Sequence, residues 1–290
     1  MCFGVREALA AVEKLAAAGP VTILGQLVHN EVVREKLVAL GATEGSLRDS
    51  SAPTSRVVVT AHGAADADRA RWAGRGHQVT DTTCPLVRKA HQALAALVAS
   101  GHAPVVVGRR NHVEVLGLTG DFPEAVVVES EDDLEALPQA PRLGVVSQTT
   151  QPEARVRALV AAMRKRRPHS EIVFRDTVCR PTKDRQHALD RLCRTCDLVV
   201  VVGGAHSNNT HELVETVRAR GLRAERVARP EELRPEWFAQ ARVVGVTAGT
   251  STLPGTVVAV LRELKRIAQG NLAPGPQPDP PTLAAPRPGA

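Results

Sequence analysis

Short aliphatic runs recur along this chain at regular intervals. Val21-Thr22-Ile23-Leu24, Val57-Val58-Val59-Thr60, Val105-Val106-Val107-Gly108, Leu143-Gly144-Val145-Val146, Leu198-Val199-Val200-Val201-Val202 and Val243-Val244-Gly245-Val246 are each four or five residues long. Continuous β-branched runs of that length, each opening into a polar loop, predict buried strands of parallel sheets. Helical spacing of apolar residues separates them. Residues 5–18 read as an amphipathic helix stopped by Gly19-Pro20, Val32 to Leu40 as a second, roughly 85–100 as a third ending at Gly101, and about 182–195 as another. Residues 41–55 are rich in Gly, Ser and Pro and read as a loop; a further helix and a short strand are expected between Gly63 and Cys84.

Three of the predicted helices begin alike, at Cys2-Phe3-Gly4-Val5-Arg6, Cys84-Pro85-Leu86-Val87-Arg88 and Cys179-Arg180-Pro181-Thr182-Lys183. A basic residue follows each cysteine by four positions, which places cation and thiol one helical turn apart on one face. The second and third cysteines are preceded by Asp81-Thr82-Thr83 and Asp176-Thr177-Val178. The histidines of the first polar loops, His29, His112 and His206, follow their cysteines by 27, 28 and 27 residues.

Alternating strands and helices at this period predict an α/β protein. It is read as three small α/β lobes with parallel sheets, in pseudo-threefold arrangement around a central cleft. Each lobe brings one cysteine and two polar strand-end loops, the position where such folds hold ligands. The expected lobes are residues 1–83, 84–178 and 179–268. Copies two and three have a strand ahead of the cysteine and copy one has only Met1, so the first lobe is expected to lack its first strand, with the true start upstream. Seven of the last seventeen residues are proline, and 269–290 is read as a disordered tail.

Composition narrows the function. Charge of 23% and hydrophobic content of 43% are ordinary for a globular protein. Aromatics make up 2%, with no tyrosine, which speaks against a base-stacking nucleic-acid binder. The net charge of +6 admits an anionic partner. The run Arg164-Lys165-Arg166-Arg167 closes a helical pattern and reads as a solvated helix end. No window is long and apolar enough to span a membrane, the N-terminus lacks the order of a signal peptide, and the protein is read as cytoplasmic. In that reducing setting five cysteines point to metal or catalysis rather than disulfides.

Three thiolates far apart in sequence make a poor structural zinc site, which usually uses close pairs and four ligands. Iron–sulfur clusters are held by cysteine thiolates, normally four, so three would leave one iron open for chemistry. Cys193 and Cys196 form a CxxC late in a helix and read as packing residues. His29, His62, His112, Ser207, Asn209 and Ser251 stand at strand ends as neutral donors suited to phosphate oxygens. Glu114, two residues from His112 and with Thr149-Thr150 in the companion loop, is a candidate proton carrier.

Together these stretches resemble the 4-hydroxy-3-methylbut-2-enyl diphosphate reductase family, an iron–sulfur enzyme family of the methylerythritol phosphate route to isoprenoids. The resemblance runs from Cys2 to about Pro254. It rests on Cys2-Phe3-Gly4-Val5, Val28-His29-Asn30, Ala61-His62-Gly63, Asp81 to Val87, His112-Val113-Glu114, Gln148-Thr149-Thr150, Cys179 with Arg185-Gln186, Ser207 to Thr210, and Val246 to Ser251. It implies a 4Fe–4S cluster on Cys2, Cys84 and Cys179 with one open iron. It also implies a diphosphate held by His29, His62, His112, Ser207, Asn208, Asn209 and Ser251. Thr149 joins that substrate site and relays protons with Glu114 as catalytic acid. An acidic ferredoxin or flavodoxin is the implied electron donor, in keeping with the basic net charge. Here Asn208 replaces a common serine, and Ala205-His206 a frequent Lys-Asn pair. Two other readings compete. A cluster-bearing redox or iron sensor would not need Glu114 and Thr149, and a nucleic-acid binder is disfavoured by the lack of aromatics.

Overall fold

In a computed structural model, which describes residues 1–271, the strands form three all-parallel sheets. The first contains β1 (Val21–Leu24), β2 (Ala42–Gly45), β3 (Arg56–Val59) and β4 (Gln78–Asp81), ordered β2-β1-β3-β4. The second contains β5 (Ala103–Val107), β6 (Val126–Val128), β7 (Arg142–Ser147) and β8 (Glu171–Phe174), ordered β6-β5-β7-β8. The third has β9 (Leu198–Val202), β10 (Arg223–Val227) and β11 (Val244–Ala248), ordered β10-β9-β11. The helices are α1 (Phe3–Ala17), α2 (Glu31–Ala39), α3 (Asp66–Gly74), α4 (Pro85–Ala99), α5 (Val113–Thr119), α6 (Glu153–Arg166), α7 (Arg180–Leu192), α8 (Asn208–Arg218) and α9 (Pro254–Asn271).

The valine runs are central strands because both faces of each sheet are covered. In the second sheet Val105 and Val107 pack with Val156, Leu159 and Met163 of α6. Val106, pointing the other way, packs with Leu94 and Leu97 of α4 and Val115 and Leu118 of α5. The third sheet divides likewise: Val199 and Val201 meet Leu189 of α7 and Leu213 of α8, while Leu198, Val200 and Val202 meet Val260 and Ile267 of α9. Each such fully buried side chain contributes about 1.5–3 kcal/mol. The edge strands β2 and β10 are polar and half exposed, and β2 lies inside the stretch expected to be a loop.

The strands ahead of Cys84 and Cys179, β4 and β8, pair with β3 and β7 and so complete the sheets of the lobes before them. The next lobe is then entered through the cysteine-capped helix. Each cysteine N–H donates to the carbonyl two residues beyond one strand's end: Cys84 to Ala61 after β3 (3.1 Å), Cys179 to Thr149 after β7 (2.9 Å), and Cys2 to Thr250 after β11 (2.8 Å). This register sets Cys2 beside the loop that follows β11. The first sheet has its four strands, and the three-stranded sheet is the third.

The expected tail begins too early, because α9 carries 269–271; the rest of it lies outside the described residues. Cys196 is buried among Leu189, Val199 and Leu213, with Cys193 packed beside it, as the packing reading of that pair expects. Arg164 to Arg166 close α6. No described helix is long and apolar enough to cross a membrane.

Candidate functional site

Cys2, Cys84 and Cys179 are the N-cap residues of α1, α4 and α7, in extended or near-extended backbone and without a side-chain capping bond. Their thiols therefore project from the helix starts into a shared cavity. The Asp-Thr-x-Cys turn holds two of them in place. The Asp81 carboxylate accepts from the Thr83 N–H (2.9 Å) and hydroxyl, and the Asp176 carboxylate from the Val178 N–H (3.2 Å). Thr82 and Thr177 donate their hydroxyls to the Val59 and Ser147 carbonyls, each at 2.6 Å. At the second and third cysteines the basic residue four positions on pairs with the turn's aspartate. Arg88 pairs with Asp81 (3.2 Å) and Lys183 with Asp176 (2.6 Å), each bracing its turn from the far side. Gly4 is required by contact: a Cβ there would stand 2.4 Å from Cys84 Sγ.

All twelve predicted site residues line one cavity of about 640 Å³, its open mouth included. Burial raises the Cys84 thiol above its ordinary pKa and takes Cys179 to about 11; Thr182 Oγ1 lies 3.1 Å from Cys179 Sγ. Opposite the thiols, the rings of His29 and His62 stack at 4.3 Å, and His112 meets both edge-on at 5.4 and 5.6 Å. Burial keeps all three imidazoles neutral. It lowers His29, takes His62 well below the usual range and brings His112 to about 3.

Three imidazole nitrogens within 4.8 Å of one another could also suit a cation. The hydrogen bond at His112 decides against it. Its Nδ1 accepts from the Glu114 N–H (3.1 Å), so the neutral ring carries its proton on Nε2 and offers a donor rather than a metal-binding lone pair. Gln26 Oε1 lies 3.1 Å from His29 Nδ1 and orients that ring.

Glu114, in the first turn of α5, is 1% exposed. Its two oxygens accept from the Thr149 N–H (2.6 Å) and the Thr149 hydroxyl (3.0 Å). Burial raises its carboxyl to about 7, although both bonds to Thr149 oppose the rise. Ser207 caps α8, accepting from the Thr210 N–H (3.3 Å), and Asn209 accepts from the Thr250 N–H (3.0 Å). Ser251 donates to the His29 carbonyl (3.4 Å) and so ties the third lobe to the first. His206, the spacing counterpart of His29 and His112, is exposed and does not line the cavity; His62, from a second loop of the first lobe, completes the trio. Val5, Val28, Ala61, Leu86 and Val87 add an apolar wall.

The LytB protein family model matches residues 1–265. The chain belongs to the LytB family. Among curated LytB relatives, 4-hydroxy-3-methylbut-2-enyl diphosphate reductase 1 of Mycobacterium tuberculosis is 35% identical, over 92% of this chain and 84% of its own. The Symbiobacterium thermophilum reductase is 36% identical, over 91% and 94%. The solved E-1-hydroxy-2-methyl-but-2-enyl-4-diphosphate reductase of Plasmodium falciparum superposes with a TM-score of 0.85 at 28% identity, covering 91% of this chain and 85% of that one.

Two residues beside this LytB site carried no role in the sequence reading. Arg185 donates to the Ala248 carbonyl (3.0 Å) and the Pro181 carbonyl (3.1 Å), close enough to Cys2 and Cys179 to feel both charges. Arg109 donates to Asn208 Oδ1 (3.2 Å) across two lobes. Arg185 stood in a motif, and Arg109 is a loop arginine with no pattern to single it out.

Proposed function

We propose that the chain reduces 4-hydroxy-3-methylbut-2-enyl diphosphate to isopentenyl and dimethylallyl diphosphate. Two electrons and two protons enter and one water leaves. The observation that carries this reading is one cavity joining three thiols, three neutral imidazoles and a buried carboxyl with a pKa near neutral. The named relatives support it.

The donor set suits an iron–sulfur cluster: three soft sulfur ligands on separate helix starts, in a cavity whose one carboxylate is engaged by Thr149. Cys2, Cys84 and Cys179 would hold it as a 4Fe–4S cluster, each thiol losing its proton on loading. When bound, the cluster supplies the electrons and an iron without a protein ligand for the substrate's hydroxyl.

The remaining work belongs to the chain. His29, His62 and His112, with Ser207, Asn208, Asn209 and Ser251, bind the diphosphate as uncharged donors. The apolar wall receives the five-carbon skeleton and excludes water. Glu114 holds a proton near neutral pH at the carboxyl that Thr149 orients, and gives it up as the hydroxyl departs as water. On this reading residues 1–83, 84–178 and 179–268 act as three lobes that each deliver one thiol. The basic net charge favours a reduced acidic ferredoxin or flavodoxin as donor.

The test is an anaerobic assay of the cluster-loaded protein with a reduced viologen dye, with the products identified by mass spectrometry. Two dye molecules oxidised per five-carbon diphosphate formed is the expected result. A fully loaded protein that consumes no substrate would overturn the proposal and leave a redox or iron sensor as the reading.

A further inference from the structure

The donors assigned to the diphosphate are all uncharged at neutral pH, yet the ligand carries at least two negative charges. Arg185 lies on the thiol side, and its guanidinium is engaged by the Ala248 and Pro181 carbonyls. On the imidazole side the cation is Arg109, in the loop after β5.

Three contacts define its place. The Arg109 N–H donates to Gln148 Oε1 (3.0 Å), which fixes the loop. Its Nη1 donates to Asn208 Oδ1 (3.2 Å) on the first residue of α8. Asn208 Nδ2 in turn donates to Thr150 Oγ1 (3.1 Å).

A guanidinium has donors only, so the Asn208 atom facing it must be the oxygen. That sets the amide's orientation. Nδ2 faces Thr150, donating to its hydroxyl (3.1 Å) and at longer range to its carbonyl (3.5 Å), and both residues line the cavity. Asn208 is 3% exposed and Arg109 is exposed, so the arginine reaches inward from the rim. Its hydrogen-bond partner there is a neutral amide, and the Glu212 carboxylate, which feels the arginine's charge, forms no ion pair with it. His112, also on that rim, feels the same positive charge.

We propose that Arg109 is a positioning residue and counter-charge for the substrate's diphosphate: it fixes the orientation of the Asn208 amide in the cavity wall and places a cation beside it at the rim. The inference rests on the proposed function for the substrate's identity, and on the hydrogen bonds of Arg109 and Asn208 for the anion site. It makes the site selective for diphosphate over a single phosphate, because the rim cation adds to donors deeper in the cavity.

The experiment titrates inorganic pyrophosphate and orthophosphate into the cluster-loaded protein by calorimetry and measures kcat and KM. The proteins compared are wild type, Arg109→Ala, Arg109→Lys, Asn208→Ser and the Arg109→Ala/Asn208→Ser double variant. Losing a charge-assisted contact should raise the pyrophosphate Kd and the substrate KM of Arg109→Ala by about 10- to 100-fold. Its kcat should stay within about threefold, since the chemistry lies at the far end of the substrate. Orthophosphate binding should change less than pyrophosphate binding. Arg109→Lys should recover part of the loss. The effect of Arg109→Ala should shrink in the Asn208→Ser background, where no amide is left to orient.

An unchanged Kd and KM in Arg109→Ala would overturn the inference, as would a loss confined to kcat. If Arg109→Ala fails to fold, Arg109→Lys and Asn208→Ser decide: both must weaken pyrophosphate binding. A wild type that binds pyrophosphate through Arg109 but does not turn over would support the inference and sink the reductase reading. A wild type that turns over, with an Arg109→Ala variant that matches it, would do the reverse.

Discussion

Replacing Glu114 by glutamine should make the protein more stable, and only above a definite pH. The Glu114 carboxyl is buried, with an ordinary value of 4.5 raised to about 7. In the unfolded chain it ionises near 4.5, whereas in the folded protein it keeps its proton until about pH 7. Folded-state stability is therefore lost as pH rises from 4.5 to about 7, and above that the loss is complete. At 1.36 kcal/mol per pH unit, that interval amounts to about 3 kcal/mol. Glutamine matches the shape and keeps both hydrogen bonds: its oxygen accepts from the Thr149 N–H, and its amide donates to the Thr149 hydroxyl. The substitution thus removes the ionisation and little else. Urea unfolding of the cluster-free proteins, compared at pH 5 and pH 8 under reducing conditions, isolates the effect because other titrating groups cancel. The two proteins should differ by less than about 1 kcal/mol at pH 5, and at pH 8 the variant should be more stable by about 3 kcal/mol. A difference that does not change between the two pH values would refute the argument. So would a variant less stable than wild type at pH 8.

Serine in place of Cys2, Cys84 or Cys179 should each abolish most iron and sulfide loading, whereas Cys193→Ser should leave both unchanged; metal analysis after reconstitution reads this directly. Gly4→Ala favours the helix by about 1 kcal/mol but brings a methyl group to 2.4 Å from Cys84 Sγ. Helicity by circular dichroism should hold while cluster content drops, and full loading would contradict the contact. Thr149→Val removes the hydroxyl that favours the charged form of Glu114. The Glu114 pKa should rise further, and the alkaline limb of the pH–rate profile should move to higher pH; a shift the other way would refute the role given to that hydrogen bond.

What the sequence made legible follows physical signal strength. Valine runs such as Leu198 to Val202 are covered on both faces and show as unbroken apolar stretches, so the central strands could be placed. β2, β6 and β10 could not. β2 and β10 carry mainly polar residues on exposed sheet edges, and β6 has only three residues. The cysteines were legible because each caps a helix in a repeated context. Their cationic neighbours misled, because helical spacing shows which residues share a face but not that Asp81 and Asp176 lie nearer than the thiols. The pairing of β4 with β3 and β8 with β7 depends on sheet order, which periodicity does not encode. His206 kept the spacing of His29 and His112 while its loop turned it outward. Arg109 acts across two lobes, a relation visible only once β5 and α8 are brought together.

The most direct test of the account is turnover of 4-hydroxy-3-methylbut-2-enyl diphosphate at pH 6, where wild-type Glu114 holds its proton, by wild type and Glu114→Gln, compared at equal iron and sulfide content. A buried acid that delivers a proton in the reaction is worth about 100-fold or more in rate. The variant should therefore lose at least that factor in kcat while keeping its cluster and its affinity for pyrophosphate. A Glu114→Gln protein that turns over at the wild-type rate would contradict the account at its centre.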